Sequence, residues 1–263
     1  MTAQTSWLGL EGKISIVTGG AGGIGTAIIR ALAEAGAKPV ALDRDTERLA
    51  SLEADMKAAG YEVMGVPCDL ADKGSIEAAA ARVQREVGPA DILVNNAGLA
   101  KPGRLLSLSL EDWRALMTVN LESYFLCANI FGGQMAEKKR GAMVHIASVA
   151  AHNPRNVGGA YSVSKAGVLM LSSQLASDLG SLGIRSNVVS PGLFMTPMSA
   201  AAYASDPGIR ERREAMIPLG RIGETHEVAD AVLYLASDRA SYITGQFLVA
   251  DGGMSQNILT MLP

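Results

Sequence analysis

The chain has 263 residues, 48% of them hydrophobic and 19% charged, with a net charge of −3. That composition supports a large buried core and excludes a disordered chain, and charges scattered without a basic block exclude a nucleic-acid partner. The length suits one large α/β domain spanning 1–263, and without a leader-like start or a bilayer-length apolar run a soluble cytoplasmic protein with no membrane attachment is expected.

Short β-branched runs alternate with longer helical stretches. A strand over 14–17 enters the turn Thr18-Gly19-Gly20-Ala21-Gly22-Gly23-Ile24-Gly25, and a helix follows over 24–35. Glycine lets this backbone turn tightly and approach a pyrophosphate, which the helix N-terminal amides would face. The spacing is not the common G-x-G-x-x-G, and its plainer role is a loop that needs positive φ. A second strand over 39–42 ends at Asp43, eighteen positions beyond Gly25, near the ~20-residue offset at which a carboxylate accepts hydrogen bonds from an adenosine ribose. This favours NAD, since a 2′-phosphate beside Asp43 would be repelled by about 4 kcal/mol at contact range near a surface. Arg44 could offset that repulsion, and Asp43 alone could serve as a strand-end turn former.

Further strands are expected over 62–66, 91–94, 142–147, 185–189 and 247–249, which makes a seven-stranded, doubly wound parallel sheet with helices on both faces. Ser109 with Asp112 starts a helix, and Gly141 closes that segment after Lys138, Lys139 and Arg140, cations that complement a helix dipole. Cys68 and Cys127 stand alone and read as reduced packing residues. His145, His152 and His226 lack metal-ligand spacing, so no metal is expected.

Tyr161-Ser162-Val163-Ser164-Lys165 opens a helix running toward Leu179, and the i, i+4 spacing puts Tyr161 and Lys165 on one face. A phenol titrates near 10, so proton transfer at neutral pH needs a fall of roughly three pH units, about 4 kcal/mol. One ammonium supplies part of this; the helix N-terminus and an oxidised nicotinamide would supply the rest. Ser148, just beyond the 142–147 strand, stands where an open α/β sheet presents groups to a ligand, although singly it reads as a strand-end cap.

Together these residues resemble the short-chain dehydrogenase/reductase family over essentially the whole chain. The resemblance rests on Thr18-Gly19-x-x-x-Gly23-x-Gly25, Asp69, Asn95-Asn96-Ala97-Gly98, Asn120, Ser148, Tyr161-x-x-x-Lys165, Pro191-Gly192 with Thr196, and Asp251-Gly252-Gly253. It implies a single Rossmann-type domain with NAD held by Gly19, Gly23, Ile24, Gly25, Asp43, Asp69, Asn96, Ala97, Gly98, Tyr161, Lys165, Pro191, Gly192 and Thr196. It also implies a catalytic set of Asn120, Ser148, Tyr161 and Lys165. Among the cofactor-holding residues, Asp69 would hold the adenine amino group and Thr196 would stand near the nicotinamide carboxamide. Asn120 would anchor a water leading from Lys165 to solvent. Ser148 would polarise the substrate oxygen, while Tyr161 takes the hydroxyl proton as hydride passes to the nicotinamide. Gly22, where NADP-using relatives often carry Arg or Lys, adds to the NAD reading.

Specificity is expected in the loops 99–104 and 149–156 and in a substrate lid over 193–218, of which 195–218 shows no clear strand. Leu193, Phe194, Met195, Met198 and Tyr203 offer an apolar wall or simple lid packing; Lys101, His152 and Arg155 could contact a polar group. A small or medium alcohol or ketone is expected as substrate, cyclic compounds and polyols included. Small residues Ala166, Gly167, Ser173 and Ala176 suggest a homotetramer or close packing within one chain. Two other readings stay open: an NADPH-dependent 3-oxoacyl-carrier-protein reductase, and a non-catalytic NAD sensor.

Overall fold

In the computed structural model, which describes residues 6–154, 156–196, 199–200, 203–204 and 206–257, the chain alternates strand and helix from the start. Strand β1 (Ile14–Thr18) is buried at all five positions, as a central parallel strand covered on both faces must be. Helix α1 (Gly23–Glu34) leads to β2 (Lys38–Asp43), α2 (Thr46–Ala58) to β3 (Met64–Pro67), and α3 (Lys73–Glu86) to β4 (Ile92–Asn95). After β4 come α4 (Leu110–Met117), a π-helical turn (Thr118–Glu122), α5 (Ser123–Lys138), β5 (Gly141–Ile146), α6 (Gly159–Leu179) and β6 (Ile184–Pro191). A short strand β7 (Phe194–Met195), α7 (Pro207–Glu214), β8 (Gly223–Glu224), α8 (Thr225–Ala236) and β9 (Phe247–Ala250) complete the described elements.

Seven of these strands form one parallel sheet in the order β3-β2-β1-β4-β5-β6-β9. The apolar stripe of α1 (Ile28, Ile29, Leu32) packs with Val228, Val232 and Leu235 of α8 on one face of the sheet. On the other face, Ile76 and Val83 of α3 meet Cys127, Phe131 and Met135 of α5. Both cysteines are buried and unbridged, and burial raises their thiol pKa values, that of Cys68 to about 11. The chain winds outward from β1 to β3 and then returns to β4, so a crevice opens beyond the carboxyl ends of β1 and β4. Among the described residues no helix is long and apolar enough to cross a membrane.

Three local expectations change. Ser109 does cap its helix, its Oγ accepting from the Asp112 N–H at 3.0 Å, but the path to Lys138 is broken by the π turn. Gly141 does not close it: Lys139 takes the left-handed conformation (φ 51°), and Gly141 opens β5, where a Cβ would lie 2.5 Å from Met135 Sδ. The basic turn also does more than face a dipole. Lys138 and Arg140 both pair with Asp91, whose carboxylate accepts the Ile14 N–H at 3.0 Å, so the turn ties α5 to the start of β1. Finally, a short strand, β7, runs into the start of the 195–218 stretch and pairs with β8.

Candidate active site

The crevice beyond β1 is shaped by backbone. Gly19 adopts φ +63°, and a Cβ there would lie 2.9 Å from Ala97 Cα; a Cβ on Gly25 would run into Gly19 O. The two glycines therefore let the turn after β1 lie against the end of β4. Thr18 Oγ1 accepts the N–H groups of Asn96 (2.9 Å) and Ala97 (3.2 Å), and Asn96 Nδ2 donates to Thr18 O and Gly19 O. Asn96 thus clamps the end of β4 to the end of β1. Helix α1 starts at Gly23 beside Ile24 with no side-chain cap, which leaves first-turn amides available to an anion.

Asp43 ends β2 with one carboxylate oxygen accepting from Ala21 N and the other from Asp45 N, both at 3.2 Å. It is a turn former after all, and the same bonds fix it at the rim of the glycine turn. Asp69 is exposed beyond β3, its Oδ1 accepting from Ala71 N at 2.9 Å. A cradle closed to any side chain at Gly25, uncapped helix amides and a fixed carboxylate at the rim fit a dinucleotide.

The second cluster is built from side chains. Lys165, on α6, is 3% exposed, and its Nζ donates to Ile146 O (2.7 Å) at the end of β5 and to the Tyr124 hydroxyl (3.1 Å) on α5. Its Nζ lies 6.0 Å from the Tyr161 ring centroid, so the i, i+4 pair does share a site. Burial pushes the Lys165 amine down to about 7, which makes its proton labile near neutrality.

Asn120 lies in the π turn and is fully buried. Its Oδ1 accepts from Leu99 N at 2.7 Å, and its Nδ2 donates to Leu99 O (2.9 Å) and Ser164 Oγ (3.1 Å). Ser164 Oγ in turn donates to Tyr161 O at 2.8 Å, so the π turn, the loop after β4 and the first turn of α6 are joined. A Cβ on Gly98 would sit 3.5 Å from both Asn120 Oδ1 and Lys165 Nζ, which places this glycine against the pair. Ser148 begins the turn Val149–Ala151, which packs on α6, and its Oγ accepts from Ala150 N at 3.1 Å. The capping role expected of Ser148 taken singly is therefore present.

Pro191 ends β6. A Cβ on Gly192 would meet Asp251 Cβ at 2.6 Å, and Asp251 accepts from Gly253 N and Ser255 N, so the closing Asp-Gly-Gly turn backs this corner. Thr196 Oγ1 bonds Ser199, a local turn role. Other expected contacts are engaged elsewhere: Lys101 pairs with Asp112 at 2.6 Å, and His152 Nε2 lies 3.2 Å from Ser190 Oγ. Leu193, Met195 and Tyr203 pack with Ile217 and Ile222, the simpler of their two roles. Gly167 faces Leu121 and Ala176 faces Gly245, so these small residues serve contacts within the chain. Arg155 and Met198 lie outside the described residues.

Two participants were not legible from sequence. Tyr124 is fully buried, donates toward Ala97 O (2.9 Å) and Ile146 O (3.2 Å), and lies under Lys165 Nζ at 4.9 Å from its ring centroid. His145 stacks on Tyr124, and its two nitrogens lie 3.1 Å from Asn95 Nδ2 and Ser186 Oγ. Burial, then the nearby Lys165, holds its imidazole neutral, with a pKa down to about 3. In the run Ser123-Tyr124-Phe125-Leu126-Cys127, a tyrosine reads as ordinary core; only its spacing of four from Asn120 hinted at a shared face.

A family model described as enoyl-(acyl carrier protein) reductase matches residues 19–255. The chain is 38% identical to 2,3-dihydro-2,3-dihydroxybenzoate dehydrogenase of Bacillus subtilis, covering 95% of this chain and 98% of that one. It is 40% identical to D-threitol dehydrogenase of Mycolicibacterium smegmatis, covering 93% of each. A solved gluconate 5-dehydrogenase from Burkholderia cenocepacia, in complex with NADP and tartrate, superposes with a TM-score of 0.89 at 33% identity over 94% of this chain and 96% of that one. With a family model matching residues 19–255 and relatives 38–40% identical over more than nine-tenths of the chain, the chain belongs to the short-chain dehydrogenase/reductase family of oxidoreductases.

Proposed function

We propose that the protein is an NAD-dependent dehydrogenase that interconverts a secondary alcohol and a ketone, with Tyr161 transferring the proton. The carrying observation is the buried Lys165 amine, which shares a face of α6 with Tyr161 and is held where the ends of β4 and β5 meet. A bound nicotinamide supplies the hydride acceptor for oxidation or the donor for reduction. Lys165, when protonated, stabilises the Tyr161 phenolate, and the phenolate takes the proton of the substrate hydroxyl. Ser148 orients the substrate oxygen. With a pKa near 7, Lys165 can pass the proton onward, and Asn120 holds the loop and helix along which it leaves.

Gly19, Gly23, Ile24, Gly25, Asn96, Ala97 and Gly98 would line the cofactor crevice, with Asp69 at the adenine end and Pro191, Gly192 and Thr196 at the nicotinamide end. The carboxylate of Asp43, fixed at the rim of the turn, supports NAD over NADP. The segment 193–218 would act as the lid of one catalytic domain spanning 1–263. A polyol or cyclic alcohol fits the threitol and dihydrodiol names of the two relatives. A homotetramer is supported by apolar side chains exposed on α5 and α6, among them Phe125 and Met170.

The test is Tyr161→Phe assayed on a panel of alcohols and ketones, with NADH and NADPH titrated by fluorescence. Turnover should fall at least 1,000-fold, on the order of losing a proton-transfer group, while NADH binding changes less than about threefold. Retained activity would overturn the role of Tyr161. Tighter NADPH binding with rates only on acyl thioesters would favour a carrier-protein reductase, and binding without turnover in the native chain would favour a sensor.

A further inference from the structure

We propose that Tyr124 is a positioning residue for the reacting pair: its buried hydroxyl accepts from Lys165 and thereby holds the amine between the ends of the fourth and fifth strands. The inference rests on the reading of Tyr161 and Lys165 given above.

An ammonium has three N–H donors. Two of those on Lys165 are taken, by Ile146 O at 2.7 Å and Tyr124 Oη at 3.1 Å, which leaves one for the reacting side. The Tyr124 hydroxyl is itself aimed by Ala97 O and Ile146 O, carbonyls beyond β4 and at the end of β5, so the amine and both strand ends are tied through one oxygen. Burial, and then the nearby Tyr161, raises the Tyr124 phenol well above its usual value, so it stays protonated and acts as a neutral acceptor. The ring face 4.9 Å from Nζ adds a cation–π contribution.

The titratable groups facing this amine are Tyr161 on its own helix, Tyr124 on α5 with Cys127 near it, and His145 on β5. Among the described residues no carboxylate pairs with it. The charged form of Lys165 therefore depends on neutral acceptors, and losing one of two disfavours it.

Tyr124→Phe keeps the ring and removes the acceptor. In cofactor-free protein carrying ¹³C-labelled lysine, with the Lys165 signal assigned by its loss in Lys165→Met, the midpoint of Lys165 titration should fall by about half to one pH unit. With the best alcohol of the panel, kcat should fall about three- to tenfold at neutral pH with KM little changed, and the rising limb of the pH profile should move upward.

Ser172→Ala is the control for mere structural damage. Its hydroxyl lies 2.9 Å from Ser186 Oγ at the far end of the His145 network and does not touch Lys165. It should lower the melting temperature about as much as Tyr124→Phe and leave both titrations in place. An unshifted Lys165 signal in Tyr124→Phe, or an equal shift in Ser172→Ala, overturns the proposal. Full turnover in Tyr161→Phe would instead overturn the reading beneath it.

Discussion

The crevice beyond β1 and the buried centre beyond β5 stand on the same edge of one sheet, yet they are made of different materials. The first is peptide groups and missing side chains: Gly19, Gly25, the amides of α1 and the carbonyls clamped by Asn96. The second is long side chains withdrawn from water: Lys165, Tyr124, Asn120 and His145, joined across elements more than twenty residues apart. A backbone cradle tolerates nothing added, whereas the buried polar cluster holds a desolvated amine whose cost to the fold depends on its protonation.

The largest effect expected from breaking that contrast is electrostatic. Lys165 has a folded pKa of about 7 against 10.5 for the free side chain. Between these values the unfolded chain binds a proton that the fold does not, so stability rises with pH from about 7 to 10.5, and the penalty of the buried charge is fully present below 7. Lys165→Met removes the penalty. Relative to the native chain, cofactor-free Lys165→Met should be most favoured at pH 6 and should lose roughly 3–5 kcal/mol of that relative stability toward pH 10, of the order that such a displacement implies. Denaturant unfolding of both proteins from pH 6 to 9 reads this directly. A gap that does not change with pH would mean that the amine keeps its ordinary proton affinity.

Next comes addition to the cradle. Gly25→Ala drives a methyl group into Gly19 O and Asn96 Nδ2, atoms of a clamped turn that cannot easily move. A loss of about 1–3 kcal/mol is expected, the usual cost of overpacking, together with a weakening of NADH binding by about 100-fold. Calorimetry and fluorescence titration would report them separately. Lys165 should still titrate near 7, and if it does not, the two regions are not independent.

The smallest effect concerns the rim. Asp43→Asn removes the charge while keeping an acceptor for Ala21 N or Asp45 N. The ratio of NADH to NADPH affinity should fall about tenfold, equivalent to about 1.4 kcal/mol, with little change in melting temperature. An unchanged ratio would remove Asp43 from cofactor choice.

Much of the cradle, and one pair of the second region, could be read before any coordinates. The glycine turn between strand and helix, Asp43 at a strand end, and Tyr161 four residues before Lys165 are all consequences of short-range geometry, and the structure keeps them where the spacing put them. Less of the second region was legible. Asn120 lies in a π turn that interrupts what looked like one helix, and Lys139 rather than Gly141 supplies the left-handed cap.

What the chain by itself determined is what neighbours in sequence impose on one another: dihedral freedom at glycine, two- and 3.6-residue periodicity, and the i, i+4 meeting of side chains. Only the tertiary structure decided that Tyr124 and His145 stand beside Lys165, because that depends on α5 packing under the ends of β4 and β5 in this strand order. Burial, and with it the loss of proton affinity at Lys165, follows from everything packed around a side chain and not from the residues next to it.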